Sequence, residues 1–250
     1  MSLPKGRMSF SDIIKKKHFL LIPFSWLYKF GVYIYHKLYD LGLLKSYKPS
    51  IPTICVGNLS VGGTGKSPMV EYIVSLLTSK YCVGVISRGY RRKTKGYVLA
   101  NADTTANDIG DEPMQFHQKF PDVCIAVGEK RAEAIAKLLQ QKKETDIIVL
   151  DDAFQHRAVT ADLNILLTEY TNPFPNDWYL PAGSLRDLKS NYKRAHIIVI
   201  TKCDPNLSKP GKDKMIQSIK PFSYQKIFLL LSITVSPIIF LLVFARVWKI

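Results

Sequence analysis

Apolar residues recur in two rhythms along this chain. Between residues 52 and 202, short runs rich in Ile and Val alternate with longer stretches in which apolar positions return every three or four residues. The short runs predict strands buried on both faces at Thr53–Gly57, Cys82–Ser87, Val123–Val127, Asp146–Asp152, Asp162–Thr168 and His196–Thr201. The longer stretches predict helices over Pro68–Ser79, Glu112–Lys119 and Glu129–Lys142. Such alternation implies an α/β fold with a doubly wound, mostly parallel sheet, whose ligand crevice lies at the carboxyl ends of the strands. No internal repeat interrupts it. The pattern divides the chain into a basic apolar N-terminal segment (1–50), a core (51–226) and an apolar tail (227–250).

The two flanks differ from the core in charge as well as pattern. Of a net charge of +15, residues 1–50 contribute nine Lys/Arg against two acids and residues 201–250 eight against two, while residues 51–200 carry eighteen against sixteen. Basic excess beside apolar termini suits anionic lipid head groups, whereas a nucleic-acid binder would spread it over the folded body. In the run from Lys15 to Tyr35, Pro23 and Lys29 interrupt the apolar stretch and Trp26, Tyr28 and Tyr33 interleave with it. This composition predicts a membrane-associated helix lying in the interface rather than a signal peptide. An amphipathic helix packed on the domain remains the competing reading. From Ile227 to Ala245 there are nineteen uncharged residues, just enough to span a bilayer core, with Arg246 and Lys249 behind them. The tail reads either as an anchor or as an ending foreign to the domain.

Candidate chemistry sits where strands end. Ser60-Val61-Gly62-Gly63-Thr64-Gly65-Lys66-Ser67 follows the first strand and precedes the first core helix, which is the context of a phosphate-binding P-loop. Ser60 stands at the first glycine position of that motif. Backbone amides of such a loop surround phosphate oxygens, the lysine reaches the β- and γ-phosphates, and the hydroxyl of Ser67 is placed to ligand Mg²⁺. Asp151 and Asp152 end an apolar strand in the manner of a Walker B segment, which would also hold Mg²⁺, although paired acids can simply terminate a strand in solvent. Arg88, Arg91 and Arg92 follow another strand end and could converge on phosphates or remain a solvated loop. Asp111 begins a helix, where it is a helix cap or a base for an acceptor hydroxyl. Gln155 and His156 place polar groups in the loop after Asp152. The cysteines Cys55, Cys82, Cys124 and Cys203 lack metal or redox spacing and read as buried free thiols. Thr201-Lys202-Cys203-Asp204 is a weak match to a guanine-reading segment, which leaves a GTPase or metallochaperone switch as a second class.

Six motifs in order, Val56 to Pro68, Ser87-Arg88-Gly89-Tyr90-Arg91-Arg92-Lys93, Gly110-Asp111-Glu112-Pro113, Asp151-Asp152-Ala153-Phe154-Gln155-His156, Leu180-Pro181-Ala182-Gly183-Ser184-Leu185-Arg186-Asp187 and Val199-Ile200-Thr201-Lys202-Cys203, resemble the tetraacyldisaccharide 4′-kinase family over roughly residues 8–226. The resemblance implies a membrane-associated P-loop kinase that moves the γ-phosphate of ATP to the 4′-hydroxyl of tetraacyldisaccharide 1-phosphate, giving lipid IVA. It implies Lys66 on the ATP phosphates, Ser67 with Asp151 or Asp152 on Mg²⁺, Asp111 as base, and Arg186 on phosphate or transferred charge. Arg88, Arg91, Arg92, Gln155 and His156 would bind substrate. The expected partners are the lipid A precursor and the inner-membrane surface, at its cytoplasmic face, with no nucleic acid. Ala153 replaces a glycine of the family pattern. The family continues into a second lobe that supplies a histidine to the base, so a frameshift or truncation near Phe228 is expected, and with it either an impaired kinase or a non-catalytic membrane-bound remnant.

Overall fold

The structure, a computed structural model, describes residues 10–230 and, in the first helix, the side chains from Leu20 onward. Eight strands form one sheet: β1 (Thr53–Asn58), β2 (Val83–Ser87), β3 (Val98–Leu99), β4 (Cys124–Val127), β5 (Ile147–Asp151), β6 (Leu163–Glu169), β7 (Ile197–Thr201) and β8 (Lys226–Leu229). Their spatial order is β3-β4-β2-β5-β1-β6-β7-β8, and every pairing is parallel except that of β3 with β4. Among the described residues six α-helices accompany them: α1 (Phe10–Asp40), α2 (Lys66–Leu77), α3 (Ala106–Ile109), α4 (Asp111–Lys119), α5 (Arg131–Gln141) and α6 (Lys209–Ile219).

Two-faced burial follows from the runs that predicted it. In β1, Ile54 and Val56 face a core shared with Val70 and Ile73 of α2, while Cys55 faces the opposite core with Ile135 and Leu138 of α5. Every residue of β1, β2, β5 and β7 is buried, which is why these strands carry no polar alternation. The six strands and three helices expected from the pattern are all present, shifted by one or two residues at their ends. Two strands and two helices had escaped. Strand β3 has two residues, α3 has four, and α6 buries only Met215 and Ile219, too few for a periodic signal.

Helix α1 spans the predicted segment and runs without a break through Pro23. Two details differ from expectation. The opening residues of the apolar tail, Ile227 to Leu229, belong to β8, where Ile227 pairs with Ile198 and Phe228 with Val199. Residues 231–250, and with them most of the Ile227–Ala245 run expected as an anchor, lie outside the described residues; the frameshift expected near Phe228 is not tested by the strand found there. All four cysteines are free, but only Cys55 and Cys203 are buried; Cys82, in the turn before β2, is exposed, and Cys124 is half-buried.

At Gly57 the chain approaches itself closely. A Cβ there would lie 2.6 Å from Phe154 Cβ and 2.9 Å from its backbone nitrogen. Gly57→Ala is therefore expected to destabilise the fold by roughly 2–3 kcal/mol, through overpacking between β1 and the turn after β5. Urea unfolding checks this, with a lowered midpoint at unchanged slope as the expected outcome.

Candidate active site

Parallel pairing of β1 with β5 puts Val56 opposite Asp151. The loop leaving β1 therefore meets the acids ending β5 at the carboxyl edge of the sheet. Gly65, at φ 84°, turns the loop into α2 as its N-cap, a left-handed conformation that glycine adopts without strain. Lys66 and Ser67 thus sit in the first turn of α2, at a helix N-terminus suited to an anion.

A cleft of about 570 Å³ opens there, lined by Val61, Gly62, Lys66, Arg88, Arg91, Asp111, Glu112, Arg131, Asp151, Asp152, His156 and Arg186. It gathers most of the residues singled out from the sequence. Lys66 Nζ lies 3.9 Å from Asp152 Oδ1 and donates to the Gly62 carbonyl at 3.4 Å. Arg186 donates to the same Asp152 carboxylate and, at 2.7 Å, to Asn58 Oδ1. Asn58 is fully buried and also donates to Thr64 Oγ1 at 2.9 Å, while its carbonyl accepts from Gln155. Ser60 and Val61 are strapped to the segment before Arg186: Ser60 bridges Leu185, and Val61 N donates to Ser184 O at 2.7 Å. On the other side, Thr201 donates to the Thr64 carbonyl at 3.0 Å.

Asp111 is the first residue of α4 and is exposed to the cleft. The cap is Gly110, and no side chain caps the helix, so the capping explanation of Asp111 does not describe this structure. Glu112, which the sequence reading passed over, lies beside it and accepts from Ser67 Oγ at 3.1 Å. Arg92 is turned away: its guanidinium bonds Glu129 Oε1 at 2.6 Å and the Gly96 carbonyl, and only 3% of its side chain is exposed. Gln155 borders a separate apolar cavity of about 580 Å³ between α1 and the loop 181–187, which Arg186 also lines. In the Thr201–Asp204 segment, Lys202 pairs with Glu169 at 2.6 Å and Asp204 accepts from Asn206 N at 2.8 Å, so both face local partners.

Burial dominates the electrostatics. Asp151 is 1% exposed, and desolvation, then the charges of Asp152 and Glu112, push its pKa up to about 6, against the opposing hydrogen bond from Ser87 and the charge of Arg131. Its Oδ2 accepts from Ser87 at 2.9 Å, but Oδ1 has no partner. Desolvation, with the neighbouring Arg131 and Arg88, lowers His156 to about 4, so it is neutral at pH 7. Arg131 itself is 2% exposed and is brought down to about 10 by burial. Hydroxyl and carboxylate oxygens of Ser67, Glu112 and Asp151, one of them buried and unpartnered, fit a hard divalent cation. No ready-made cage of three ligating side chains exists among the described residues, so such a cation would share its shell with phosphate and water.

With this geometry in view, comparison with known proteins is decisive. The family profile described as Tetraacyldisaccharide-1-P 4′-kinase matches residues 17–230. The chain belongs to the tetraacyldisaccharide 4′-kinase family. It is 47% identical over 206 residues to the Flavobacterium psychrophilum tetraacyldisaccharide 4′-kinase, covering 82% of this chain and 60% of that protein. It is 46% identical over 214 residues to the Bacteroides fragilis kinase, covering 85% of this chain and 57% of that protein. The crystal structure of Aquifex aeolicus LpxK in complex with ATP superposes with a TM-score of 0.71 at 34% identity, covering 85% of this chain and 64% of that one. The chain thus spans about three-fifths of the length of the curated kinases it matches. Family and fold agree: this is a P-loop α/β protein.

The Asp151 shift has a sign that can be measured. A carboxyl whose pKa rises from 3.8 to about 6 on folding costs stability at neutral pH, and the cost disappears as pH falls through 6 towards 4. In ligand-free protein, the stability of Asp151→Asn relative to wild type is expected to rise by on the order of 2–3 kcal/mol between pH 4 and pH 7. Urea titrations across that range check it; a difference independent of pH would show that Asp151 is not destabilised by its burial.

Proposed function

We propose that this protein is an ATP- and Mg²⁺-dependent kinase that transfers the γ-phosphate to the 4′-hydroxyl of tetraacyldisaccharide 1-phosphate, forming lipid IVA. The observation that carries the reading is the joint presence, in one cleft of a chain from this family, of the P-loop lysine, the acids ending β5 and Asp111. Lys66 and the amides at the start of α2 hold the phosphates of ATP, with Arg186 balancing charge from the far side. Asp111 accepts the proton of the 4′-hydroxyl as it attacks in line with the leaving β-phosphate. Ser67, Glu112 and Asp151 are the residues that would hold Mg²⁺. Bound there, the ion would supply positive charge against the charge that develops in transfer. Arg88 and Arg91 face the cleft, where they can hold the anionic lipid.

The lipid side of the substrate has a place as well. The apolar cavity lined by Phe24, Leu27, Tyr28, Val32 and Tyr35 shares Arg186 with the phosphate cleft, so acyl chains can lie along α1 while the sugar reaches Asp111. Leu20, Phe24, Trp26, Leu27 and Phe30 of α1 are each at least 59% exposed, which supports peripheral docking of this helix on the cytoplasmic face of the inner membrane. Among the described residues, no helix is long and apolar enough to cross a membrane.

Phosphorylation of tetraacyldisaccharide 1-phosphate in detergent micelles with ATP and Mg²⁺ tests the reading. Lys66→Ala and Asp111→Ala should each lower kcat by at least about 100-fold, as expected for charge-stabilising and base roles. Tight GTP binding with no lipid phosphorylation would favour a nucleotide switch instead. Separately, Trp26→Glu with Leu27→Glu should abolish cosedimentation with anionic vesicles while leaving the melting temperature within about 2 °C, because both side chains face outward. Unchanged sedimentation would remove α1 from the docking surface.

A further inference from the structure

Beside the cleft, a buried polar cluster joins α1 to the segment that carries Arg186. Asp187 is 1% exposed, and its Oδ1 accepts from His36 at 2.6 Å, from Asn191 Nδ2 at 2.6 Å and from Leu188 N at 2.7 Å. Arg194 approaches its other oxygen at 3.4 Å. His36 is 4% exposed and is the only one of these partners that comes from α1. Two more bonds tie the helix to the same segment: Ala182 N donates to Ser25 Oγ at 3.0 Å, and Tyr28 donates to the Arg186 carbonyl at 3.0 Å. Ser25, Tyr28 and His36 lie at helical spacings that share one face of α1.

The opposite edge of that segment grips the P-loop. Arg186 N donates to the Leu59 carbonyl at 2.9 Å, and Val61 N donates to Ser184 O at 2.7 Å. Residues 182–187 are thus clamped between the exposed apolar helix and the phosphate-binding loop, with the Arg186 side chain aimed at Asp152.

We propose that His36 is a positioning residue, which acts through Asp187 to hold segment 182–187 against the P-loop and so to keep the Arg186 guanidinium on Asp152. The proposal rests on the reading of the cleft as an ATP site. Its physical content is charge sharing. Asp152 stands between Arg186 and Lys66, so an Arg186 that is no longer held leaves the carboxylate to Lys66 alone and draws that lysine from the phosphates. His36 Nδ1 makes no hydrogen bond. Nε2, which also lies 2.8 Å from Asn191 Nδ2, faces a carboxylate that can only accept and so donates to it, and glutamine can present an N–H at a similar reach.

Isothermal titration of Mg-ATP into the full chain in detergent, for wild type, His36→Ala, His36→Gln, Arg186→Ala and the His36→Ala/Arg186→Ala double variant, tests this. The expected Kd rises about fivefold for His36→Ala and about tenfold for Arg186→Ala, the size of one ordinary net hydrogen bond. The double variant should match Arg186→Ala within about twofold, and His36→Gln should match wild type, because coupled residues do not add. Independent, multiplicative losses, a wild-type affinity in His36→Ala, or a glutamine variant as weak as alanine would each overturn the proposal. If His36→Ala does not fold, Tyr28→Phe carries the same test, since it cuts the tether to the Arg186 carbonyl without opening a cavity: a Kd raised about threefold supports the clamp and an unchanged one overturns it. A wild-type chain that binds no ATP overturns the nucleotide reading, and the positioning role with it, whereas ATP binding with additive losses overturns the positioning role alone.

Discussion

Two adjacent carboxylates end the strand beside β1, one of them fully buried, and the rest of the site is arranged around their charge. Asp151 points into the protein, where Ser87 bonds one oxygen and Arg131 supplies a buried positive charge. Asp152, at φ 47°, is turned the other way by its backbone and meets Arg186 and Lys66. Like charges this close repel strongly in a medium poorer in water than the surface. The parallel register of β1 and β5 leaves no choice about where they stand, because Val56 and Asp151 are paired four residues before the P-loop begins at Ser60. The cations are consequently drawn in from three separate parts of the chain: the start of α2, the start of α5 and the loop before β7.

Which parts of this were legible in the sequence depends on how local the signal was. The strands showed because their middles are buried on both faces and so carry near-continuous apolar runs, with polar residues mostly at the ends. Helix α6 did not, because only Met215 and Ile219 of its eleven residues are buried. Among the site residues, Lys66, Ser67, Asp151 and Asp152 could be read from spacing, since strand, loop and helix fix them relative to each other within a few positions. Arg88 and Arg92 are indistinguishable in such a reading, both being arginines after a strand. Glu129, 37 residues away, takes Arg92 into a loop that no local pattern foretells. Glu112 was overshadowed by its neighbour Asp111, and Asn58, the last residue of β1, carries no motif of its own although it bonds Arg186, Thr64 and Gln155 together.

Helix α1 shows how one element can answer two demands. Its outward residues expose far more apolar surface than a soluble helix needs, and its inward face carries polar groups where a packed helix would place aliphatic ones. Ser25 and His36 are buried and bonded to the same loop, an inversion that makes sense if the outer face is to meet lipid and the inner face is to be held in register. Hydrogen bonds fix direction and spacing in a way that aliphatic contact does not, since a slid helix leaves buried donors unmet. The exposed apolar face of α1 and the P-loop are thereby held at a fixed offset through residues 182–187.

The strain in the site has a direction that favours its ligands. Asp151 has an unpartnered oxygen and a raised pKa, so its burial carries an electrostatic cost at neutral pH, whereas Asp152 is stabilised by its two cations. A divalent cation beside Ser67 and Glu112 would relieve the first carboxylate, and phosphate oxygens would compete with the second for Lys66 and Arg186. In the proposed kinase, cation binding would relieve the cost of burying Asp151. A core built only for stability would have replaced that acid, whereas a site for triphosphate and metal would have reason to keep it.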